Sequence, residues 1–286
     1  MTDFCFISDL FKQQYSGGAE LTTEVLINEA PSNFVINKIN SNQVSKQYLE
    51  KNKNKHYIVC NFSNLSDDCK IYMAKNLSYS IVEYDYKLCK YRSLKKHQVV
   101  TGKQCDCLDK DNIFGKISKI FYSYADKIWF MSDGQKSVFL SKIQTLREEK
   151  CETLSSMFEK GDLRFIDSIK ENEKNENYLI LDSNSWIKGT EECIKYAKNN
   201  DVPFETVKDL PYHEMLIKLS LSKGLIFIPL DYDTCPRIVI EAKMLGCDLI
   251  INDNVQHKNE KWFETQDTCF EYMKNRSGTF WEYYEQ

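Results

Sequence analysis

Short apolar runs alternate with longer stretches of mixed apolar and polar residues along the whole chain. In the first half, the apolar runs predict β-strands at residues 3–8, 34–37, 57–61, 80–84 and 127–131. The mixed stretches predict helices, including 19–29 and 117–125. Strands that alternate with helices are typical of parallel βαβ units, so the first half is predicted to be an α/β domain.

The second half repeats this pattern. Strands are predicted at 178–181, 204–207, 225–228 and 248–251, separated by helices at 190–199, 212–222 and 236–245. These elements predict a second doubly wound sheet. The charged segment KENEKNE at 170–176 lies between the halves, and we place the boundary within 151–177. The predicted domains are 1–155 and 156–262, followed by a helical tail at 263–286.

Length and composition agree with a two-domain globular protein. The chain has 286 residues, of which 42% are hydrophobic and 13% aromatic, and no apolar run approaches the length that crosses a bilayer. The net charge of −4 does not indicate a general nucleic-acid-binding surface. The first residues lack the features of a secretory signal, and most of the eleven cysteines lie in apolar segments. We therefore expect reduced cysteines and a cytoplasmic location.

The most informative segment is DTCPRIVIEAKMLGC, residues 233–247, which follows the apolar run GLIFIPL. Asp233 or Thr234 is expected to cap a helix here, with Pro236 in its first turn and Gly246 after its end. The unpaired N–H groups at the start of a helix attract phosphate. Arg237 and Glu241 lie four residues apart, and they either form a structural ion pair or contact a ligand.

These residues resemble the donor-site motif of retaining glycosyltransferases of the GT-B architecture, glycosyltransferase family 4. The family has two glutamates separated by seven residues, whereas here Asp233 takes the first position and Glu241 the second. The resemblance implies that Asp233 lies near the transferred sugar and that Glu241 binds the ribose of a nucleotide. The other residues of the motif that are expected to bind the donor are Thr234, Cys235, Pro236 and Arg237.

Two further segments match this family. Gly17 and Gly18 follow the first predicted strand, and they are either a simple turn or, as in the GGAE-like loop of the family, a backbone surface that approaches the donor. Lys188 in the segment SWIKG matches the lysine that holds the leaving diphosphate, a charge that Arg237 is expected to share. The preceding segment LDSNSW lacks the arginine that the family usually has.

Acidic residues end a strand of the first domain. Glu83 and Asp85 occupy alternate positions in the segment EYDYK, so their side chains share one face. They either orient an acceptor hydroxyl or are ordinary polar loop residues. Phage-type members of the family have a histidine in place of Tyr84. The candidate catalytic residues are therefore Asp233, Glu83 and Asp85.

A basic segment, residues 86–104, contains six Lys or Arg residues and no acid. It either contacts the phosphates of a polyanionic acceptor such as DNA or is an exposed lysine-rich loop. The candidate acceptor-binding residues are Lys87, Lys90, Arg92, Lys95 and Lys96, and the sixth cation is Lys103.

The same region contains residue types that bind zinc. Cys89, His97, Cys105 and Cys107 would suit a tetrahedral structural site, although the spacing Cys-x-Cys differs from common zinc knuckles. Free thiols are the other interpretation. His56, His97, His213 and His257 have no motif that links them to a nucleophile.

The fold is therefore predicted to be α/β, with two doubly wound Rossmann-like domains (GT-B) that face each other across a cleft. By resemblance, residues 1–155 form the acceptor side, 156–262 bind a nucleotide-sugar, and the tail crosses back to the first domain. The same resemblance implies a retaining glycosyltransferase with no catalytic metal.

A hydroxymethylated base in phage DNA is one predicted acceptor, given the basic segment and the lysine- and asparagine-rich composition, and the location would then be the host cytoplasm. The alternatives are a polysaccharide or small-glycan glycosyltransferase, a nucleotide-sugar epimerase, and a non-catalytic nucleotide-sugar or nucleic-acid binding protein. The sequence leaves the oligomeric state open.

Overall fold

The computed structural model describes residues 2–285. The chain forms two compact units: the first extends to Met157 and also includes the residues from Ser277 onward, and the second is Phe158–Arg276. Each unit contains one sheet of parallel strands with helices between successive strands.

The first unit is built on six strands. They are β1 (Thr2–Ser8), β2 (Phe34–Asn40), β3 (His56–Val59), β4 (Tyr79–Glu83), β5 (Lys127–Phe130) and β6 (Cys151–Thr153). All pairings are parallel, in the order β2-β1-β3-β4-β5-β6. The order reverses at β1, so the carboxyl ends of β1 and β3 flank the position where open α/β sheets bind ligands.

Helices cover this sheet and supply its core. They are α1 (Gly18–Asn28), α2 (Lys46–Lys51), α3 (Asp67–Asn76), α4 (Leu94–Thr101), α5 (Ile113–Tyr124) and α6 (Asp133–Lys142). Every residue of β4 and of β5 is buried, as expected for the central strands of a parallel sheet that is covered on both faces. The largest side chains of the core include Tyr57, Tyr79 and Phe121, and the rings of Tyr79 and Phe121 are stacked 5.0 Å apart.

The second unit is smaller. Its strands are β7 (Tyr178–Leu181), β8 (Phe204–Val207), β9 (Gly224–Phe227) and β10 (Asp248–Ile251), and its helices are α7 (Lys160–Ile169), α8 (Thr190–Asn199), α9 (Tyr212–Ser220) and α10 (Arg237–Met244). Helix α11 (Gln266–Glu282) begins in this unit, and its residues from Ser277 onward belong to the first unit. The strands are parallel in the order β10-β9-β7-β8. The order reverses at β7, so the switch point lies between the carboxyl ends of β7 and β9.

The last residues of the chain pack within the first unit. The Trp281 ring lies 5.3 Å from Phe4 and 5.6 Å from Phe34, and its indole N–H donates a 2.8 Å hydrogen bond to the Leu26 carbonyl. Trp281 is 2% exposed. These contacts bury a large aromatic surface and satisfy its one polar atom.

The prediction of an α/β chain with alternating strands and helices is confirmed. Strands 178–181, 204–207 and 248–251 and helix 190–199 have the predicted bounds, and most other elements differ by one to three residues at an end. The prediction omitted β6 and the helices α4, α6 and α7. Helix α4 buries one residue, His97, so it has no apolar face. The basic segment therefore lacks the apolar periodicity that predicts a helix.

Candidate functional site

The switch point of the second unit brings together two of the predicted donor-site residues. Lys188 ends a short 3₁₀ helix after β7, and Asp233 lies in the loop after β9. The Lys188 ammonium nitrogen is 2.6 Å from Oδ2 of Asp233. The Lys188 side chain is 30% exposed and that of Asp233 is 12% exposed, so the pair lies at the edge of the unit with access to solvent.

Glycine allows these two loops to approach each other. Gly189 has a φ of +65°, and a Cβ there would lie 2.0 Å from the Ile228 carbonyl oxygen. The loops are also joined by a 2.9 Å hydrogen bond from the Leu230 N–H to the Ile187 carbonyl. Any other residue at position 189 would therefore push the Lys188 loop away from the end of β9.

The backbone of Asp233 is held by a third segment. Asp233 forms an isolated parallel bridge with Val255, in which its N–H donates to Asn254 and its carbonyl accepts from Gln256. These bonds fix the position of the carboxylate more firmly than an ordinary loop would. The loop after β9 therefore holds the acidic residue Asp233 in a defined position.

Helix α10 begins one residue later than predicted. Its N-cap residue is Pro236, which makes no side-chain cap hydrogen bond, so neither Asp233 nor Thr234 is the N-cap residue that the sequence predicted. Asp233 instead forms the bridge described above, which directs its backbone away from the helix. Gly246 has a φ of +68° and follows the C-cap Leu245, as predicted for the end of the helix. Thr234 and Cys235 are buried beside the start of α10.

Arg237 and Glu241 contact each other on one face of α10. Their closest atoms, Nε and Oε1, are 3.6 Å apart, which is an ion pair and too long for a hydrogen bond. Tyr212 bridges them, since its hydroxyl donates to Glu241 Oε1 at 2.9 Å and accepts from Arg237 Nη2 at 3.2 Å. The Arg237 guanidinium also lies 4.0 Å from the centre of the Phe158 ring.

This network is buried. Glu241 is 3% exposed and Arg237 is 8% exposed. Burial raises the pKa of Glu241, against the opposing effects of Arg237 and of the Tyr212 hydrogen bond. Arg237 and Glu241 therefore form an ion pair in the structure, one of the two predicted interpretations. Tyr212 is the third residue of this network, and no sequence motif had indicated it.

In the first unit, an acidic residue occupies the start of α1. Gly17 is the N-cap of α1, and Gly18 begins the helix without a side-chain cap. Glu20 in the first turn is 7% exposed and accepts a hydrogen bond from Asn61 at 3.4 Å. Burial raises the pKa of Glu20, against hydrogen bonds from its own backbone and from Asn61. The predicted phosphate position near Gly17 and Gly18 thus already lies beside a carboxyl group.

Glu83 is buried at the carboxyl end of β4 and has several partners. It is 0% exposed, and its Oε1 accepts from the Lys87 ammonium at 2.9 Å and from the Asp85 N–H at 3.0 Å. The Tyr122 hydroxyl donates to its other oxygen. Burial raises the pKa of Glu83, whereas Lys87 opposes this effect.

Asp85 is the more accessible of the two acids. Its side chain is 22% exposed and contacts Lys87 at 3.1 Å and the Nε of Arg92 at 2.7 Å. Burial alone would raise the pKa of Asp85, but Lys87 and Arg92 hold this pKa below its ordinary value. Lys87 is therefore buried between two acids, whereas Lys90, Arg92, Lys95 and Lys96 are exposed, as is Lys103.

Three cations of the basic segment line a pocket of about 140 Å³ in the first unit, together with Lys70. They are Lys87, Lys90 and Arg92.

The four predicted metal ligands also come together nearby: Cys89, His97 and Cys107 are buried, Cys105 is partly exposed, and their ligand atoms all lie within 4.8 Å of one another. No helix of residues 2–285 is long and apolar enough to cross a membrane.

Comparisons with known proteins define the fold. No protein-family model matches the chain, and no curated protein matches it in sequence. Solved structures of GT-B glycosyltransferases, proteins of two Rossmann-like domains, are among those with this arrangement of elements, so the predicted GT-B fold class is confirmed.

Two of these structures cover nearly the whole chain. HepE from Anabaena, in complex with UDP and glucose, is 9% identical with a TM-score of 0.57, over 100% of this chain and 98% of that chain. The UDP-forming α,α-trehalose-phosphate synthase from Burkholderia xenovorans is 9% identical with a TM-score of 0.56, over 99% of this chain and 98% of that chain. At this identity the likeness establishes the fold.

Proposed function

We propose that the chain transfers a sugar from a nucleoside diphosphate sugar to a hydroxyl acceptor, with retention of configuration at the anomeric carbon. The observation that carries the proposal is the pairing of Lys188 with Asp233 at the switch point of the second unit, in a chain with the GT-B fold. HepE binds UDP-glucose in one of its structures, so UDP-sugars are the first donors to test.

Lys188 and Asp233 have complementary roles in this function. A diphosphate carries more negative charge than one carboxylate, so it would compete with Asp233 for the Lys188 ammonium. Asp233 would then be released to accept hydrogen bonds from the sugar hydroxyls. As the bond to the sugar breaks, Lys188 would stabilise the negative charge that develops on the departing diphosphate.

Helix α10 and its buried network support this donor position. The first N–H groups of a helix find no partner within it and carry a partial positive charge. Arg237 adds positive charge near that end of α10, although its guanidinium is held by Glu241, Tyr212 and Phe158. Glu241 would accept a hydrogen bond from a ribose hydroxyl, either on its second carboxylate oxygen or in place of the hydrogen bond from Tyr212. Stabilisation of the negative charge on the leaving diphosphate is assigned to Lys188 and the helix end, without a metal ion.

We further propose that the acceptor is a hydroxymethylated base in phage DNA. The exposed cations of the basic segment, on and around α4, support contacts with phosphates, because such contacts need accessible ammonium and guanidinium groups. We assign to Asp85 the role of orienting the acceptor hydroxyl, while Lys87, which contacts both Glu83 and Asp85, would position Asp85. Lys87 itself is buried and is given no phosphate contact.

A panel of nucleotide-sugars read by thermal shift tests the donor, since a ligand that binds only the folded state at 100 times its Kd stabilises it by about 2.7 kcal/mol. We expect a rise in Tm with one UDP-sugar and not with the free sugar. Transfer is then measured with labelled donor and three acceptors: hydroxymethylated duplex, unmodified duplex, and free saccharides.

The product's anomeric configuration, determined by NMR, tests retention. Transfer to free saccharides and not to either duplex would contradict the DNA acceptor and favour a polysaccharide or small-glycan glycosyltransferase. A donor that stabilises the chain with no transfer or hydrolysis would indicate a binding protein, and no stabilisation by any nucleotide-sugar would contradict the proposed function.

A further inference from the structure

Three of the four predicted ligands, Cys89, His97 and Cys107, have the spacing of a tetrahedral metal site, and the ligand atom of Cys105 lies within 4.8 Å of each of theirs. The Sγ atoms of Cys89 and Cys107 are 3.9 Å apart, and Nδ1 of His97 lies 3.5 Å from the first and 3.4 Å from the second. In a tetrahedral site with zinc–sulfur bonds of about 2.3 Å and zinc–nitrogen bonds of about 2.1 Å, these separations are about 3.8 Å and about 3.6 Å. A disulfide would need sulfur atoms about 2.0 Å apart.

Local backbone structure directs these ligands inward. Cys89 lies in a turn in which the Arg92 N–H donates to its carbonyl at 2.8 Å, and the Tyr91 N–H points at its sulfur at 3.4 Å. Helix α4 carries His97, and Gly102, with a φ of +71°, ends the helix so that the chain returns with Cys105 and Cys107.

Helix α5 closes the other side of this turn. A Cβ at Gly115 would lie 2.2 Å from the carbonyl oxygen of Cys107, so the backbone of α5 is in direct contact with the backbone that holds this ligand. The position of Cys107 is therefore fixed by packing as well as by its own turn.

The histidine has the partner that metal ligands usually have. Its second ring nitrogen, Nε2, lies 3.4 Å from Oδ1 of Asp106. A carboxylate there favours a proton on Nε2 and leaves Nδ1 as the ligand atom. The Tyr91 ring packs edge-on against His97 at 5.1 Å. Within residues 2–285, no other group of three or more Cys, His, Asp or Glu ligands converges in this way.

We propose that Cys89, His97, Cys105 and Cys107 bind one structural Zn²⁺ ion. Three thiolates and one imidazole fill a tetrahedral shell, which is typical of a structural site and leaves no position for a substrate. Binding releases the thiol protons, and the net charge of the filled site, −1, lies beside Lys90 and Arg92.

The ion also orders a strained residue. Arg92 has a φ of 56°, a conformation that residues other than glycine rarely adopt, and it lies in the turn around Cys89. That turn places the Arg92 guanidinium against Asp85. Zinc therefore stabilises the segment that contacts Asp85, although zinc binding is independent of the proposed glycosyl transfer.

Metal analysis of the full chain tests this proposal. We expect about one zinc per chain after purification under reducing conditions without a metal-affinity tag. Cys105→Ser and Cys107→Ser should lose most of it, whereas Cys69→Ser and Cys247→Ser, which change buried cysteines outside the cluster, should retain it. Exchange of the wild-type chain into Co²⁺ should give the visible absorption of a tetrahedral thiolate site, and this readout serves even if the variants do not fold.

Three results would overturn the proposal. The first is wild-type protein that contains no zinc and takes up no cobalt. The second is full zinc content in folded Cys105→Ser and Cys107→Ser. The third is a disulfide among these cysteines in freshly prepared protein, detected by mass spectrometry after thiol alkylation.

Discussion

The ammonium nitrogen of Lys188 lies 2.6 Å from Oδ2 of Asp233, across the switch point between β7 and β9. Each residue is the partner that balances the charge of the other when no donor is present. An ammonium that is held in place before the ligand arrives loses less side-chain entropy on binding a diphosphate. If the proposed donor binds here, its diphosphate would meet an ammonium group that is already held in place.

Lys188→Ala should lower kcat/KM for sugar transfer by about 10²-fold or more, because it removes the charge that stabilises the departing diphosphate. Lys208→Ala is a matched control, since Lys208 also pairs with an aspartate, Asp182, at 3.4 Å and follows a strand of the same sheet. Initial rates with the donor identified by thermal shift check this expectation. Equal effects of the two substitutions would contradict the assigned role of Lys188.

Tyr212→Phe should destabilise the second unit by about 1–3 kcal/mol, because the buried Glu241 carboxylate loses its hydroxyl donor while Arg237 remains 3.6 Å away. Urea denaturation measures the change. Tyr196→Phe, at a tyrosine of the same unit that is 38% exposed, is the control and should change the free energy of unfolding by less than about 0.5 kcal/mol. A change in Tyr212→Phe as small as in the control would show that water replaces the hydroxyl.

The second unit was the more predictable from sequence. Its strands β7, β9 and β10 are mainly apolar runs bounded by polar residues or proline, and β8 is a short β-branched and aromatic segment, FETV. The predicted bounds of β7, β8 and β10 are the observed ones. The pairing of Lys188 with Asp233 could not be predicted in the same way. It depends on β7 and β9 being neighbours, and strand order is not written in the periodicity of either segment.

The basic segment of the first unit shows where single-sequence reasoning fails. A lysine-rich segment predicts exposed cations, but Lys87 is buried because Glu83 and Asp85 lie four and two residues before it at the end of a buried strand. The buried charge of Lys87 is stabilised only as part of a hydrogen-bond network with Glu83 and Asp85. This network also includes Tyr122 and Gln135, which lie on helices distant in sequence. No local pattern identifies those partners.

If the basic segment contacts DNA phosphates, Lys96→Ala should reduce the slope of log Kobs against log salt concentration by about 1. Lys90→Ala should act in the same direction. Lys75→Ala, at an exposed lysine of α3 in the same unit, should leave the slope unchanged. Filter or gel retention of hydroxymethylated duplex at four salt concentrations measures the slope. Unchanged slopes in Lys90→Ala and Lys96→Ala would place DNA elsewhere or exclude it.

His257 should make the second unit acid-sensitive. Its side chain is 0% exposed, and neither ring nitrogen has a hydrogen-bond partner among residues 2–285. The ring is stacked on Trp262 at 5.2 Å and edge-on to Phe263 at 4.6 Å. Burial lowers the pKa of His257 to about 3, whereas an unfolded histidine has a pKa of about 6.5. The folded chain therefore keeps this ring neutral at a pH where the unfolded chain protonates it.

The sign follows from linkage: below about pH 6.5 the unfolded state binds one more proton at this position than the folded state, so stability falls as pH decreases. The loss should approach about 1.4 kcal/mol per pH unit between pH 6 and pH 4 and should be absent from His257→Phe, which keeps an aromatic ring. Urea denaturation of both proteins at several pH values gives the difference, in which all other titrating groups cancel. Parallel pH profiles of wild type and His257→Phe would show that His257 acquires a proton or a water partner in the folded state.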